Sequence, residues 1–121
     1  MAKKILVVDD DKDAIDVISL RLTSCGYDVI SANDGREAIE KAKKELPGLI
    51  IMDIVLPEMN GAEVAICLKQ EPKTKHIPII FLTGMMGGEE ELVQEEGLQW
   101  PILKKSFEDD RFIKEVRKLL P

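Results

Sequence analysis

The apolar positions of this chain fall into two interleaved patterns. Short unbroken runs, "ILVV" from Ile5 to Val8, "LIIM" from Leu49 to Met52 and "IIFL" from Ile79 to Leu82, predict strands buried on both faces. Between them the spacing changes. Ala14, Ile15, Ile18, Leu22 and Cys25 recur at helical intervals, and Gly26 ends them. "YDVISA" alternates and predicts a second strand. "NDGREAIEKAKKELPG" opens on turn and capping residues, sets Ala38, Ile39, Ala42 and Leu46 on one helical face, and stops at Pro47-Gly48. Beyond the loop "PEMNG", residues 62–70 predict a helix that groups Val64, Ala65 and Leu68. "EPKTKHIP" reads as a loop. "MMGGEEELVQEEG" predicts a short fourth helix beginning at or after Gly87 and Gly88, because each glycine costs about 1 kcal/mol against alanine inside a helix. "ILKK" is a short fifth strand. Phe112, Ile113, Val116, Leu119 and Leu120 share one face of a last helix.

Strand and helix alternate five times, which predicts an α/β fold with a parallel sheet covered on both faces. The 121 residues suit one domain over 1–121. At that size about two thirds of the unfolded chain's surface is buried, so neither a disulfide nor a structural metal is needed for a core. The net charge of -6 argues against a nucleic-acid footprint, which calls for a basic patch, and no Lys/Arg cluster is present to hold anionic lipid. The opening "MAKKILVV" has too short an apolar run for a signal peptide, and no stretch reaches membrane-spanning length. Cys25 and Cys67 lie inside helical patterns and read as small apolar residues in a reducing cytoplasm.

Charge enters the picture at the strand ends. Asp9, Asp10 and Asp11 follow the first strand, and Asp53 closes the third. In a sheet of order 2-1-3-4-5 the first and third strands are neighbours, and these carboxylates converge at the edge where open α/β sheets bind ligands. Two unit charges about 4 Å apart repel by roughly 4 kcal/mol at an effective dielectric of 20. A cluster made of carboxylate oxygens suits a hard cation, and Mg²⁺ in particular, which takes one or two carboxylates together with water and phosphate oxygens. Aspartates after a strand also cap helices, and Asp11 is expected to do so. Asp53 has no helical pattern directly after it. Thr83 ends the fourth strand and Lys105 the fifth. A hydroxyl and an ammonium beside a carboxylate–metal cluster are what a phosphoryl group requires.

"ILVVDDD", "LIIMDIVLPEMNG", "PIIFLTG" and "KKSF", in this order and spacing, resemble the receiver domain of two-component response regulators over essentially the whole chain. The resemblance implies a flavodoxin-like (βα)5 three-layer sandwich with a five-stranded parallel sheet in the order 2-1-3-4-5. It implies that Asp53 is the phosphoacceptor and that Asp10, Asp9, Asp53 and the backbone carbonyl of Val55 hold Mg²⁺. Thr83 and Lys105 would bind phosphoryl oxygens, with Lys104 as the alternative lysine. The donor would be a separate histidine kinase or histidine phosphotransfer protein, since the sole histidine, His76, lies in a polar loop. The face built from the fourth helix, fifth strand and fifth helix would carry output to a downstream protein, or self-association into a dimer. Such a domain is a signalling acceptor rather than a turnover enzyme.

Three departures from the family pattern stand out. Ser106 replaces a proline whose preceding peptide bond is usually cis. A non-proline cis bond costs about 2.5–4 kcal/mol, so the Lys105–Ser106 bond is either trans, displacing the lysine, or cis and strained. Ile102 occupies the switch position usually held by an aromatic residue, and Gly87 and Gly88 interrupt the fourth helix. With Ile102 unable to swing a hydroxyl inward, the switch is expected to run through Thr83 and the loop after it. A phosphorylation-independent pseudo-receiver that only binds partners is the alternative reading. Phosphotransfer enzymes with an aspartate nucleophile usually carry a second acid where Val55 stands, and flavin-binding relatives of the fold need a hydroxyl-rich loop where this chain has aspartates. Val55 and Met85 beside the site would restrict water and slow the loss of phosphate.

Overall fold

The computed structural model describes residues 3–83, 91–95, 98–104 and 111–120. Six strands form one sheet: β1 (Lys4–Val8), β2 (Asp28–Ala32), β3 (Leu49–Asp53), β4 (Ile79–Thr83), β5 (Glu91–Glu95) and β6 (Leu98–Lys104), in the order β2-β1-β3-β4-β6-β5. The first five in that order are parallel. With β6 as the expected fifth strand, this is the 2-1-3-4-5 winding. Four helices are described: α1 (Lys12–Ser24), α2 (Gly35–Glu45), α3 (Gly61–Gln70) and α4 (Arg111–Leu119).

Alternation along each buried strand supplies two cores. Leu6, Val8, Ile50, Met52 and Phe81 pack with Ala38 and Ala42 of α2 and with Val64, Ala65 and Leu68 of α3. Ile5, Val7, Leu49, Ile51, Ile80 and Leu82 pack on the opposite face with Ile15, Ile18 and Leu22 of α1 and with Ile113 and Val116 of α4. Each strand residue therefore serves one helical layer or the other, which is why these strands read as unbroken apolar runs.

One expected element is different. Residues 91–95 are a strand, not part of a fourth helix. β5 runs antiparallel to β6, from Glu91 opposite Ile102 to Glu95 opposite Leu98. Five residues are too few for apolar period to separate strand from helix. The direct pairing of Glu95 with Leu98 makes β5 and β6 a hairpin. The hairpin also lengthens the expected "ILKK" strand back to Leu98. Pro101 is tolerated there because the ladder to β4 begins only at Ile102.

Two helix ends also differ in detail. Leu46, expected on the core face of α2, is 54% exposed. It caps the helix in the left-handed conformation (φ 48°), its N–H donating to the Ala42 carbonyl, and Pro47 cannot continue the helix. Leu119, expected on the buried face of α4, is likewise exposed.

The end of α1 is closed by a Schellman turn. The Gly26 N–H donates to the Thr23 carbonyl (3.0 Å) and the Tyr27 N–H to the Leu22 carbonyl (3.2 Å), with Gly26 at φ 95°. The turn presents Tyr27, whose hydroxyl donates to the Leu120 carbonyl at 2.6 Å. The far ends of α1 and α4 are thereby joined. On the other face, Lys69 of α3 donates from Nζ to the carbonyls of Lys75 (2.9 Å) and Ile77 (3.0 Å), and burial lowers its pKa. The buried Thr74 hydroxyl donates to the Leu68 carbonyl at 2.7 Å. These bonds close the connection that leads into β4.

Gly26→Ala isolates the conformational term, because nothing lies within 4 Å of an added Cβ. A left-handed φ costs an L-residue about 1–2 kcal/mol. The urea midpoint should fall by the equivalent of that amount with an unchanged slope; an unaltered midpoint would mean that this turn does not limit stability.

Candidate functional site

Parallel pairing builds the site. In the β1–β3 register Val8 stands opposite Met52, so the next residues, Asp9 and Asp53, leave neighbouring strands at the same edge. Asp9, Asp10 and Asp53 each offer a carboxylate oxygen, and these oxygens lie within 4.8 Å of one another. The three predicted acids are therefore brought together.

Their surroundings differ. Asp9 is buried, at 1% exposure. Its N–H donates to the Ala32 carbonyl of β2 (3.1 Å), and its Oδ1 accepts the Asp11 N–H at 2.9 Å. That bond fixes the turn out of β1. Asp10, between them, is exposed. Asp11 caps α1 as expected, its Oδ1 accepting the Asp13 N–H at 2.9 Å. Asp53 is half-buried, and its Oδ1 accepts the Val55 N–H at 3.1 Å. The rising sequence of exposure, Asp9 to Asp53 to Asp10, runs from the interior outward, so a ligand entering from solvent meets Asp10 and Asp53 first.

The loop after Asp53 is folded tightly back onto it. The Gly61 N–H donates to the Ile54 carbonyl (2.8 Å), and the Ile54 N–H donates to Leu82 of β4 (3.3 Å). A Cβ on Gly61 would lie 2.6 Å from the Asp53 carbonyl oxygen and 2.9 Å from Ile54 Cα. Only glycine permits that approach. Asn60 then caps α3, accepting the Glu63 N–H at 2.9 Å. At the tip, Glu58 takes φ 66° and the Met59 N–H reaches back to the Pro57 carbonyl at 2.7 Å, an i→i+2 contact of γ-turn type. Sequence reasoning missed this turn. Pro57 marks a bend, but glutamate carries no preference for positive φ.

The other predicted residues are placed less completely. Thr83 is the last residue of β4 and stands in register with Lys104 of β6. Ile102 pairs with Phe81. The side chains of Thr83 and Ile102 lie outside the described part of the structure, as do Met85, Gly87, Gly88, Lys105 and Ser106. His76 is exposed. Cys25 and Cys67 are half-buried free thiols. Among the described residues no helix is long and apolar enough to cross a membrane.

The donor set fits a hard divalent cation. It consists of carboxylate oxygens on two adjacent strands, one of them on a turn fixed by backbone N–H groups, with exposed space on the outer side for water or a phosphate oxygen.

Known proteins with this fold and sequence are numerous. Residues 5–117 match the family model described as "Response regulator receiver domain". The chain is 46% identical over 83 residues to the alkaline phosphatase synthesis transcriptional regulatory protein PhoP of Bacillus subtilis, covering 69% of this chain and 34% of that protein. It thus spans about a third of that relative's length. The polar-differentiation response regulator DivK of Brucella anthropi is 33% identical over 121 residues, covering 99% of this chain and 98% of DivK. Among solved structures, the response regulator TrrA of Thermotoga maritima in complex with Mg²⁺-BeF superposes with a TM-score of 0.82 at 31% identity, over 98% of this chain and 99% of that one. With its parallel order, its acids at the ends of β1 and β3 and these relatives, the chain belongs to the response regulator receiver domain family.

Proposed function

We propose that this receiver domain accepts a phosphoryl group on Asp53 from the phosphohistidine of a histidine kinase or histidine phosphotransfer protein, and that the modification switches a protein-interaction face. The observation that carries the reading is the convergence of Asp9, Asp10 and Asp53 within 4.8 Å. The Mg²⁺-BeF complex of TrrA supports the same chemistry here by likeness.

In the transfer, an Asp53 carboxylate oxygen attacks phosphorus. The new O–P bond forms as the N–P bond to the donor imidazole breaks, and the nitrogen leaves with the electron pair. The Val55 N–H on Oδ1 holds the carboxylate in one orientation, which lowers the reorganisation needed for attack. Asp9, Asp10, Asp53 and the Val55 backbone carbonyl would hold Mg²⁺, whose charge offsets that of the phosphoryl oxygens. Thr83 would donate to one of those oxygens and Lys105 to another, each charge-assisted bond contributing about 1.5–3 kcal/mol. The domain is an acceptor with slow loss of phosphate, not a turnover enzyme, and Val55 at 55% exposure would form part of the apolar surround.

The modified state carries added charge at the strand ends. Thr83 is the last residue of β4 and sits beside β6, so its movement toward the phosphoryl group would bias the face formed by β5, β6 and α4. Moving such an equilibrium from 1:99 to 99:1 requires about 5.5 kcal/mol. Self-association through the same face is one form this output would take.

Incubation with acetyl phosphate and Mg²⁺ should add one phosphoryl mass to the intact chain, and Asp53→Asn should abolish it. A persistent adduct in Asp53→Asn would refute the assignment, whereas no adduct on the parent chain would favour the partner-binding pseudo-receiver that Ser106 raises. Saturating Mg²⁺ should raise the melting temperature, since a ligand at 100 times its Kd stabilises by about 2.7 kcal/mol, and Asp10→Asn should remove most of that rise. Beryllofluoride with Mg²⁺ should shift NMR signals of β6 and α4 as well as those of the carboxylate edge; shifts confined to the edge would exclude an output switch.

A further inference from the structure

Asp9, the innermost of the three acids, leans on the end of β2, and that strand end is gripped by α2. The Ala32 carbonyl accepts the Asp9 N–H at 3.1 Å. The same peptide unit carries the Asn33 N–H, which donates to Glu37 Oε1 at 2.8 Å. A peptide unit is planar, so its carbonyl and its N–H turn together. One rigid plane is thus held at one end by a carboxylate of α2 and at the other by the backbone of Asp9. The preceding unit is held as well, because Lys41 Nζ donates to the Ser31 carbonyl. Glu37 and Lys41 are four residues apart and share one face of α2.

Helix capping explains only part of this arrangement. Asp34 caps α2, its Oδ1 accepting the Glu37 N–H at 2.8 Å. In a capping box the carboxylate of the third helical residue accepts the N–H of the capping residue itself. Here it reaches one residue further back, to Asn33, and grips the strand end in place of the cap. The helix that carries it is firmly seated. Ala38 and Ala42, each next to one of the gripping residues, are fully buried, and a Cβ on Gly35 would lie 2.6 Å from Val64 Cγ2 of α3. Charge adds to the effect. An anionic acceptor on the Asn33 N–H polarises the peptide and makes the Ala32 carbonyl a stronger acceptor for Asp9.

We propose that Glu37 is a positioning residue for the cation site. It fixes the Ala32–Asn33 peptide and, through it, the backbone of Asp9, so that the Asp9 carboxylate stands where a shared divalent ion requires it; this rests on the reading of Asp9, Asp10 and Asp53 as Mg²⁺ ligands. The Asp9 side chain is already turned by the Asp11 N–H on its Oδ1. That bond sets the direction of the carboxylate only while the backbone behind it keeps its place, and Glu37 supplies that second restraint.

The test measures Mg²⁺ affinity by calorimetry, and the Asp9 amide by NMR in the absence of metal, for the parent chain and three variants. Glu37→Ala should weaken Mg²⁺ binding about tenfold, the low end for loss of a group that orients a metal ligand, and should speed proton exchange at the Asp9 amide. Glu37→Gln loses the charge but keeps an oxygen acceptor, and should retain most of the affinity. Asp34→Ala removes the helix cap without touching the Ala32–Asn33 unit. It should lower the urea midpoint at least as far as Glu37→Ala does, yet leave the Mg²⁺ affinity and the Asp9 amide close to those of the parent. A glutamine variant as weak as the alanine one would mean that charge alone acts. An equal loss in Asp34→Ala would mean that helix stability alone acts. Either result, or an Asp9 amide that does not respond to Glu37→Ala, would overturn the proposal. A parent chain that binds no Mg²⁺, with the Asp9 amide still responding to Glu37→Ala, would overturn the cation reading while establishing the link from Glu37 to Asp9.

Discussion

Everything in this molecule is arranged around a repulsion. Three carboxylates share a space in which their oxygens lie within 4.8 Å of one another, and nothing in their own chemistry favours it. What holds them is the pairing of β1 with β3, two strands buried on both faces by α1, α2, α3 and α4. The apolar burial that fixes these strands is diffuse and large, while the repulsion is local and worth only a few kcal/mol per pair. The fold can therefore hold an unfavourable charge cluster in place, with oxygen donors of the kind a hard cation takes already gathered.

The surrounding backbone limits how that cluster can relax. Asp9 is tied through its N–H to β2 and through its carboxylate to the turn that starts α1. Asp53 is tied to the loop that doubles back to Gly61. Neither acid can swing away from the other without disturbing a helix start. The capping of α1 by Asp11 and of α3 by Asn60 is thus part of the same device, since both helices begin where the acids must stay.

Much of this was legible from the chain alone because burial on both faces leaves a plain signature. The runs at Ile5, Leu49 and Ile79 could hardly be anything but central strands, and an acid directly after such a run must emerge at the sheet's ligand-binding edge. Legibility fails where a segment is short or where a neighbour overrides its pattern. "ELVQE" is too short for its period to decide, and its five residues carry no mark of the hairpin that pairs them with β6. Leu46 obeys the helical spacing of α2 but stands at its C-cap in the left-handed conformation, which turns it outward. The γ-turn at Glu58 has no side-chain preference behind it and follows from how the loop must return to reach Gly61.

The bond from Tyr27 to the Leu120 carbonyl gives the last helix a mechanical character. α4 is pinned at its far end, where α1 also finishes. That tie restrains α4 from sliding along α1, while Ile113 and Val116 seat the rest of the helix in the core.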